Sequence, residues 1–257
     1  MADKSSIEWT DATWNPMTGC TQVSPGCDHC YAKTLVDTRQ SKNPKSVRFG
    51  RPFEQVMLHE DRLTQPLRWS RPRRIFVNSL SDLFHRDVPD EFIERVLDVM
   101  VNASWHTFQV LTKRPERMRR FFAKRVVPDN VWLGVSIESM DYAWRVNMLC
   151  ETPALWRWIS AEPLLGSLRE LNLDGVDWVV VGGESGPGAR DMKPRWAREL
   201  RDKCVESAIP FLFKQWGAFN ESGHLVGKHA AGRMFEGRTW DEYPATAAGL
   251  LMKGQER

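Results

Sequence analysis

The chain has 257 residues, 42% of them hydrophobic and 27% charged, with a formal net charge of +3. Such a chain can bury a substantial core and is not a polycation, while the lack of any apolar run of about 18 residues argues against a membrane span. Its first residues, MADKSSIEWTD, lack the apolar centre of a secretory leader, and five cysteines suit a reducing compartment better than a disulfide framework, so the cytoplasm is the expected location.

In chain order, the first weak strand candidate is IEWTDATW (7–14). It runs into WNPMTGCTQVSPGCDHCYA (14–32), which packs Cys20, Cys27 and Cys30 at C-x6-C-x2-C spacing into a loop seeded with Pro16, Gly19, Pro25 and Gly26. Clustered cysteines in a cytosolic chain point to metal ligation. Zinc wants four ligands, so His29, His59 or His85 would have to complete the set, and His29 is awkwardly placed between two of the thiols. An iron–sulfur cluster is the other reading, in which three thiolates leave one iron open.

A second weak candidate, EQVMLHE (54–60), precedes six clearer strands: RIFVNSLSD (74–82), TFQVLTKR (107–114), VWLGVSIES (131–139), WRWISAEP (156–163), DWVVVGGES (177–185) and PFLFKQWG (210–217). Apolar residues continue on both faces of these runs, as in buried parallel strands. Helical stretches separate them, notably DEFIERVLDVM (90–100) behind Pro89 and PRWARELRDKCVESA (194–208). Cys150 and Cys204 fall on apolar helix stripes and read as packing.

About eight β/α units in one chain predict a full or partial (β/α) barrel of the TIM-barrel type, with an open doubly wound sheet as the alternative. A single unit over 1–257, with 218–257 as a C-terminal extension, is expected. In a barrel the C-terminal strand ends share one mouth. The candidates there are His59, Glu60, Asn78, Ser79, Ser81, Asp82, Thr112, Lys113, Arg114, Ser136, Glu138, Glu162, Gly183, Glu184, Ser185, Lys214 and Gln215. A ring of mixed charge suits a polar, zwitterionic ligand. Two basic stretches, RWSRPRR (68–74) and KRPERMRRFFAKR (113–125), could bind phosphates or serve as solvated helix faces, and the twelve tryptophans could stack on bases or fill the core.

The loop NPMTGCTQVSPGCDHCYA resembles the cysteine-loop opening of spore photoproduct lyase-like radical SAM enzymes. Together with FVNSLSDLFH, LTKRPERM, GVSIES, ISAEPLLG, VVVGGESG and FKQWG, it makes the chain similar to a phage and prophage three-cysteine-motif family of unassigned function. The likeness runs from about residue 7 to 217 and continues through GRTWDEYP (237–244). The first cysteine gap is longer than in the usual radical SAM loop, and His29 replaces an aromatic carbocycle.

This resemblance implies that Cys20, Cys27 and Cys30 bind a 4Fe-4S cluster whose open iron chelates S-adenosylmethionine. Ser81, Asp82, Lys113, Glu138, Glu162, Gly183, Glu184 and Lys214 become candidates for holding cofactor or substrate. It also implies an electron donor such as flavodoxin or ferredoxin, a nucleic-acid base or nucleotide as substrate, and action in a phage host's cytoplasm. The competing readings are a non-enzymatic, zinc-stabilised nucleic-acid-binding protein and a metal-free lyase or hydrolase.

Overall fold

The computed structural model describes residues 5–245, so the ends of the expected single unit, 1–4 and 246–257, lie outside the described residues. Strand β1 (Ala12–Trp14) is followed by a short antiparallel ribbon, β2 (Met17–Thr18) against β3 (Met57–Leu58). Next come β4 (Arg74–Val77), β5 (Thr107–Thr112), β6 (Val131–Ser136), β7 (Trp156–Ala161), β8 (Trp178–Gly182) and β9 (Phe211–Gln215). All but β2 and β3 form one parallel sheet of seven strands, in the order the chain visits them, curled into a half-barrel.

The helices are α1 (Tyr31–Leu35), α2 (Glu60–Leu63), α3 (Asp90–Asn102), α4 (Pro115–Phe122), α5 (Trp144–Cys150), α6 (Pro194–Glu206) and α7 (Lys228–Ala231). Helices α3 to α6 occupy crossovers between sheet strands. The β7–β8 crossover has no α-helix among the described residues, and buried Leu164, Leu168, Leu171 and Leu173 cover the sheet there. On α3, Phe92, Ile93, Val96, Leu97 and Met100 are buried as their spacing predicts. No helix among the described residues is long and apolar enough to cross a membrane.

Two expectations need correction. The run 54–60 adds no strand to the parallel sheet and gives only the short β3: Met57 is half-buried and Leu58 exposed, whereas a parallel strand covered by helices buries both faces. The run 7–14 pairs only from Ala12. Before that point the chain turns inward and sets Trp9, 2% exposed, among the rings of the concave face.

That face follows the period-two alternation of strands. Ile75, Val77, Phe108, Leu133, Val135, Ile159, Val179 and Phe213 join the outer core. Phe76, Trp132, Trp158, Trp178, Val180 and Leu212 point the other way and close around Trp9. Ring centroids lie 5.1 Å apart for Trp9–Trp158, 5.3 Å for Trp158–Trp178 and 5.8 Å for Trp132–Trp178. These tryptophans plug the N-terminal half of the barrel interior and are not base-stacking surfaces. On the same face nearer the mouth stand Ser136, Ser160, Glu162 and Lys214, which line a cavity.

Gly134 faces inward between Trp132 and Ser136, and a Cβ there would sit 2.4 Å from the Trp158 indole. Gly134→Ala should therefore overpack the plug and cost about 1–3 kcal/mol, read as a lower denaturant midpoint.

Candidate functional site

A cavity of about 420 Å³ opens at the C-terminal ends of the strands. Cys20, Cys27, His29, Cys30, Ser81, Asp82, Lys113, Arg114, Glu162, Gly183, Glu184, Lys214 and Gln215 line it, over a floor that includes Trp9, Phe76 and Leu111. The N-terminal residues Ser6 and Ile7 and Lys228 of α7 also reach it, and Lys228 Nζ lies 3.3 Å from Glu8. Most of the strand-end ring read from the sequence thus faces one space. Cys150 and Cys204 do not: Cys150 Sγ lies against Asp174 O, and Cys204 is fully buried in the outer core.

Three clamps hold the cysteine loop over the mouth. At its start, Gly19 (φ +98) donates to Leu80 O and bridges to Ser81, and a Cβ would come within 2.3 Å of Gln55 O. Only glycine tolerates both that conformation and that approach. Cys20 N then donates to Phe53 O.

The second clamp is Arg114, on the turn after β5. Its guanidinium reaches Cys20 Sγ (3.4 Å), Asp82 Oδ2 (3.0 Å) and Thr21 O (2.8 Å). Asp82, 5% exposed, also accepts from Thr112 Oγ1, Phe84 N and Lys113 N, so its oxygens are committed to the wall. Burial first, then Asp82, pushes the Cys20 thiol up to about 12, with Arg114 opposing both. Metal ligation would displace the proton that this environment retains.

The third clamp is Glu138, which does not line the cavity. It lies 1% exposed behind the loop, 3.0 Å from buried Arg145, and accepts from Ser24 Oγ at 2.7 Å. Lys113 Nζ stands 3.5 Å away. Gly26 packs on it so closely that a Cβ would fall 2.4 Å from the Glu138 side chain. Arg190, absent from the sequence-derived candidates, completes the enclosure by joining Glu184 (2.6 Å), Asp28 (3.3 Å) and Pro25 O (2.8 Å). No strand pattern marks Arg190, because it sits in the loop after β8.

The free ionic functions of the cavity are therefore fewer than the sequence suggests. Asp82, Glu138 and Glu184 are spent on arginines, and Ser81 Oγ donates to Met17 O. Among the described residues Glu162 and Lys214 form their ion pair with each other, at 2.6 Å, with Ser160 Oγ 3.4 Å from the carboxylate. Gly183 is required by packing: a Cβ would stand 1.9 Å from Trp216 O.

Among the described residues, no three Cys, His, Asp or Glu side chains converge as ligands of one metal ion. A single zinc would draw its sulfurs to about 2.3 Å from one point, whereas a cluster seats each thiolate on its own iron, farther apart. The three cysteines share one cavity, but among the described residues they form no ready-made ligand set for either a cluster or a lone zinc. His59 and His85 offer zinc no help. His59 is buried against Thr18 Oγ1 (2.9 Å) beneath the β2–β3 ribbon, and Glu60 beside it pairs outward with Arg95. His85 accepts from Asp87 N at 3.2 Å and meets Thr21 Oγ1 at 2.8 Å.

A family model matches the chain over residues 4–244. The chain belongs to the DUF5131 family, described as a protein of unknown function. No curated protein and no solved structure matches it. The DUF5131 match spans every sheet strand, the cysteine loop and α7, so the cavity and its three clamps fall within the family region.

The two basic stretches are largely occupied. Arg117 pairs with Asp90, Arg119 with Glu151 and Arg125 with Glu94, while Arg74, at the opposite end of β4 from the mouth, pairs with Asp11. A different segment carries exposed positive charge. Arg39, Lys42, Lys45 and Arg51, with exposed Val47 and Phe49, form an arm folded around buried Arg48. It follows α1, which starts at the cysteine loop. The flanking acids Asp37 and Glu54 are both taken by Lys33.

Burial, reinforced by Arg62, lowers the His59 pKa to about 4. From pH 6.5, its unfolded value, down to about 4, the unfolded chain binds the proton first, so stability is lost as pH falls through that window. Thermal melts should drop across it, and His59→Gln should flatten the slope. Part of the slope will remain, because burial also lowers His85 and His106.

Proposed function

We propose that the chain is a radical SAM-type iron–sulfur enzyme acting on a nucleic-acid base or nucleotide in a reducing cytoplasm, including that of a phage host. The observation that carries this reading is that Cys20, Cys27 and Cys30 all line one cavity at the strand ends, whereas Cys150 and Cys204 do not. When bound, a 4Fe-4S cluster held by those thiols would supply one-electron cleavage of S-adenosylmethionine to methionine and a 5′-deoxyadenosyl radical.

The chain's own residues divide the remaining work. Glu162 and Lys214 offer opposite charges side by side, which suits the ammonium and carboxylate of an amino-acid moiety. Arg114 places positive charge against a cysteine that carries negative charge once ligated. Glu138 and Arg190 hold the loop from behind and above, and the Tyr31 hydroxyl donates to Ser79 O at the mouth. An electron donor such as flavodoxin or ferredoxin would complete the reaction.

The test is anaerobic purification, iron and sulfide analysis, and incubation with S-adenosylmethionine and a reductant. Brown protein that releases 5′-deoxyadenosine supports the reading. Cys27→Ala should lose both colour and product, whereas Cys150→Ala should retain both. Colourless, zinc-loaded protein that releases nothing would instead favour a zinc-stabilised nucleic-acid binder.

The exposed arm supports a nucleic-acid substrate. Its cations have no acidic partner among the described residues, and Phe49 offers a face for a base. Single-stranded oligonucleotide should bind by fluorescence anisotropy, and Lys42→Ala with Lys45→Ala should reduce the salt slope by about one unit per lysine. An unchanged slope would remove the arm from the binding surface.

A further inference from the structure

Four polar atoms of residues that line the cavity are buried without a hydrogen-bond partner among the described residues: both amide atoms of Asn78, Gln215 Oε1 and Trp9 Nε1. Buried polar groups in native proteins are nearly always paired, and orphans gathered on one cavity mark a place where something else supplies the partner. Asn78 is the clearest case. It is 3% exposed and follows β4, with its N–H donating to Trp14 O at 2.8 Å and its carbonyl accepting from Ser81 N at 3.2 Å. Its φ of +62 is a left-handed conformation, which glycine, asparagine and aspartate tolerate best. The backbone is thus fixed on both sides while the carboxamide is left unanswered. Gln215, at the end of β9, reaches Gly183 O only at 3.5 Å and leaves its own oxygen unmet.

These groups dictate the partner's chemistry. All are neutral, and they adjoin Phe76 and Leu111, so the complementary group is uncharged and tolerates apolar contact. A carboxamide presents a donor and an acceptor side by side in one plane, and its natural complement is a planar edge with acceptor and donor adjacent. Trp9 asks for a further acceptor and Gln215 for a further donor. Nucleobase edges offer this combination, and asparagine reads them in this bidentate way.

We propose that Asn78, assisted by Gln215 and Trp9, binds the hydrogen-bonding edge of a neutral nucleobase inside the cavity. The proposal rests on the nucleotide-handling reading above for which molecule carries the base, and its test does not depend on the cluster. The base belongs either to the cofactor or to the substrate. A base still stacked in a duplex is out of reach of a site at this depth, so a substrate base enters single-stranded or extruded.

The experiment is calorimetric titration of the full chain with adenosine, S-adenosylhomocysteine, guanosine, cytidine and thymidine, with ribose as the blank. At least one nucleoside should bind where ribose does not. Asn78→Gly should weaken that binding about tenfold or more, and Gln215→Met should weaken it to a smaller degree. The Asn78→Gly protein should melt no lower than the parent, because glycine removes the orphaned amide and accepts the left-handed backbone. Preference for adenosine and S-adenosylhomocysteine assigns the site to the cofactor's base, and preference for the others assigns it to the substrate's. Binding of no nucleoside above ribose, unchanged affinity in Asn78→Gly, or a lowered melting temperature in that variant would overturn the proposal. Nucleoside binding without 5′-deoxyadenosine formation would leave this site standing and remove the radical reading, and the reverse result would do the opposite.

Discussion

A half-barrel has an inner face that cannot stay wet, and everything at the mouth depends on how that face is filled. Seven parallel strands curve around a space that no eighth strand closes among the described residues. Trp9, carried in from before β1, enters that space and meets Phe76, Trp158 and Trp178. Its carbonyl accepts from Gln109 Nε2 at 3.2 Å, which secures the insert to β5. Because the rings take the N-terminal half, the smaller and polar inward residues are left to shape a cavity at the other end. Gly134 matters for the same reason, since its missing side chain is the room that Trp158 occupies.

Above that floor the electrostatics is organised from behind. The Arg145–Glu138 pair is buried on both sides, and Arg145 also donates to Ser136 O, so the guanidinium links strand end to loop. A buried pair of this kind is weak evidence for stability in itself, but it fixes geometry because neither partner tolerates the loss of the other. Glu138 then serves as the anchor onto which Ser24 and Gly26 fold. The cysteine loop, with little regular structure of its own, inherits its shape from charges in the turns that follow β5, β6 and β8.

Much of this was legible in the residues. The six clear strands fell where unbroken apolar runs placed them, and the cavity gathers most of the polar strand ends that followed those runs. The failures share a cause: short segments whose fate is decided by distant partners. EQVMLHE carries strand-like composition, yet Leu58 ends up exposed and His59 buried, because the segment pairs locally with β2. Glu138 read as a ligand candidate, and nothing in GVSIES announces that Arg145 will claim it. Arg190 was invisible because its importance lies in three partners from two loops. Tryptophans were ambiguous by nature, since a ring that fills a barrel and a ring that stacks on a base look alike in sequence.

The edge of the sheet has an effect on how such a chain comes into being. Phe213 N donates to Trp240 O and Glu242 N to Phe211 O, so 240–242 lies antiparallel along β9 and covers its outer backbone. The Trp178 indole reaches Glu242 O, and the Tyr243 hydroxyl reaches Glu8 O, 235 positions earlier. Translation delivers residues at roughly 5–20 per second, so β9 emerges from the ribosome before the segment that shields it. During that interval the nascent sheet presents an open, apolar margin to any neighbouring strand. The last stretch of the family region thus acts as a seam, joining Tyr243 to Glu8 and closing the growing sheet against its neighbours on a polysome.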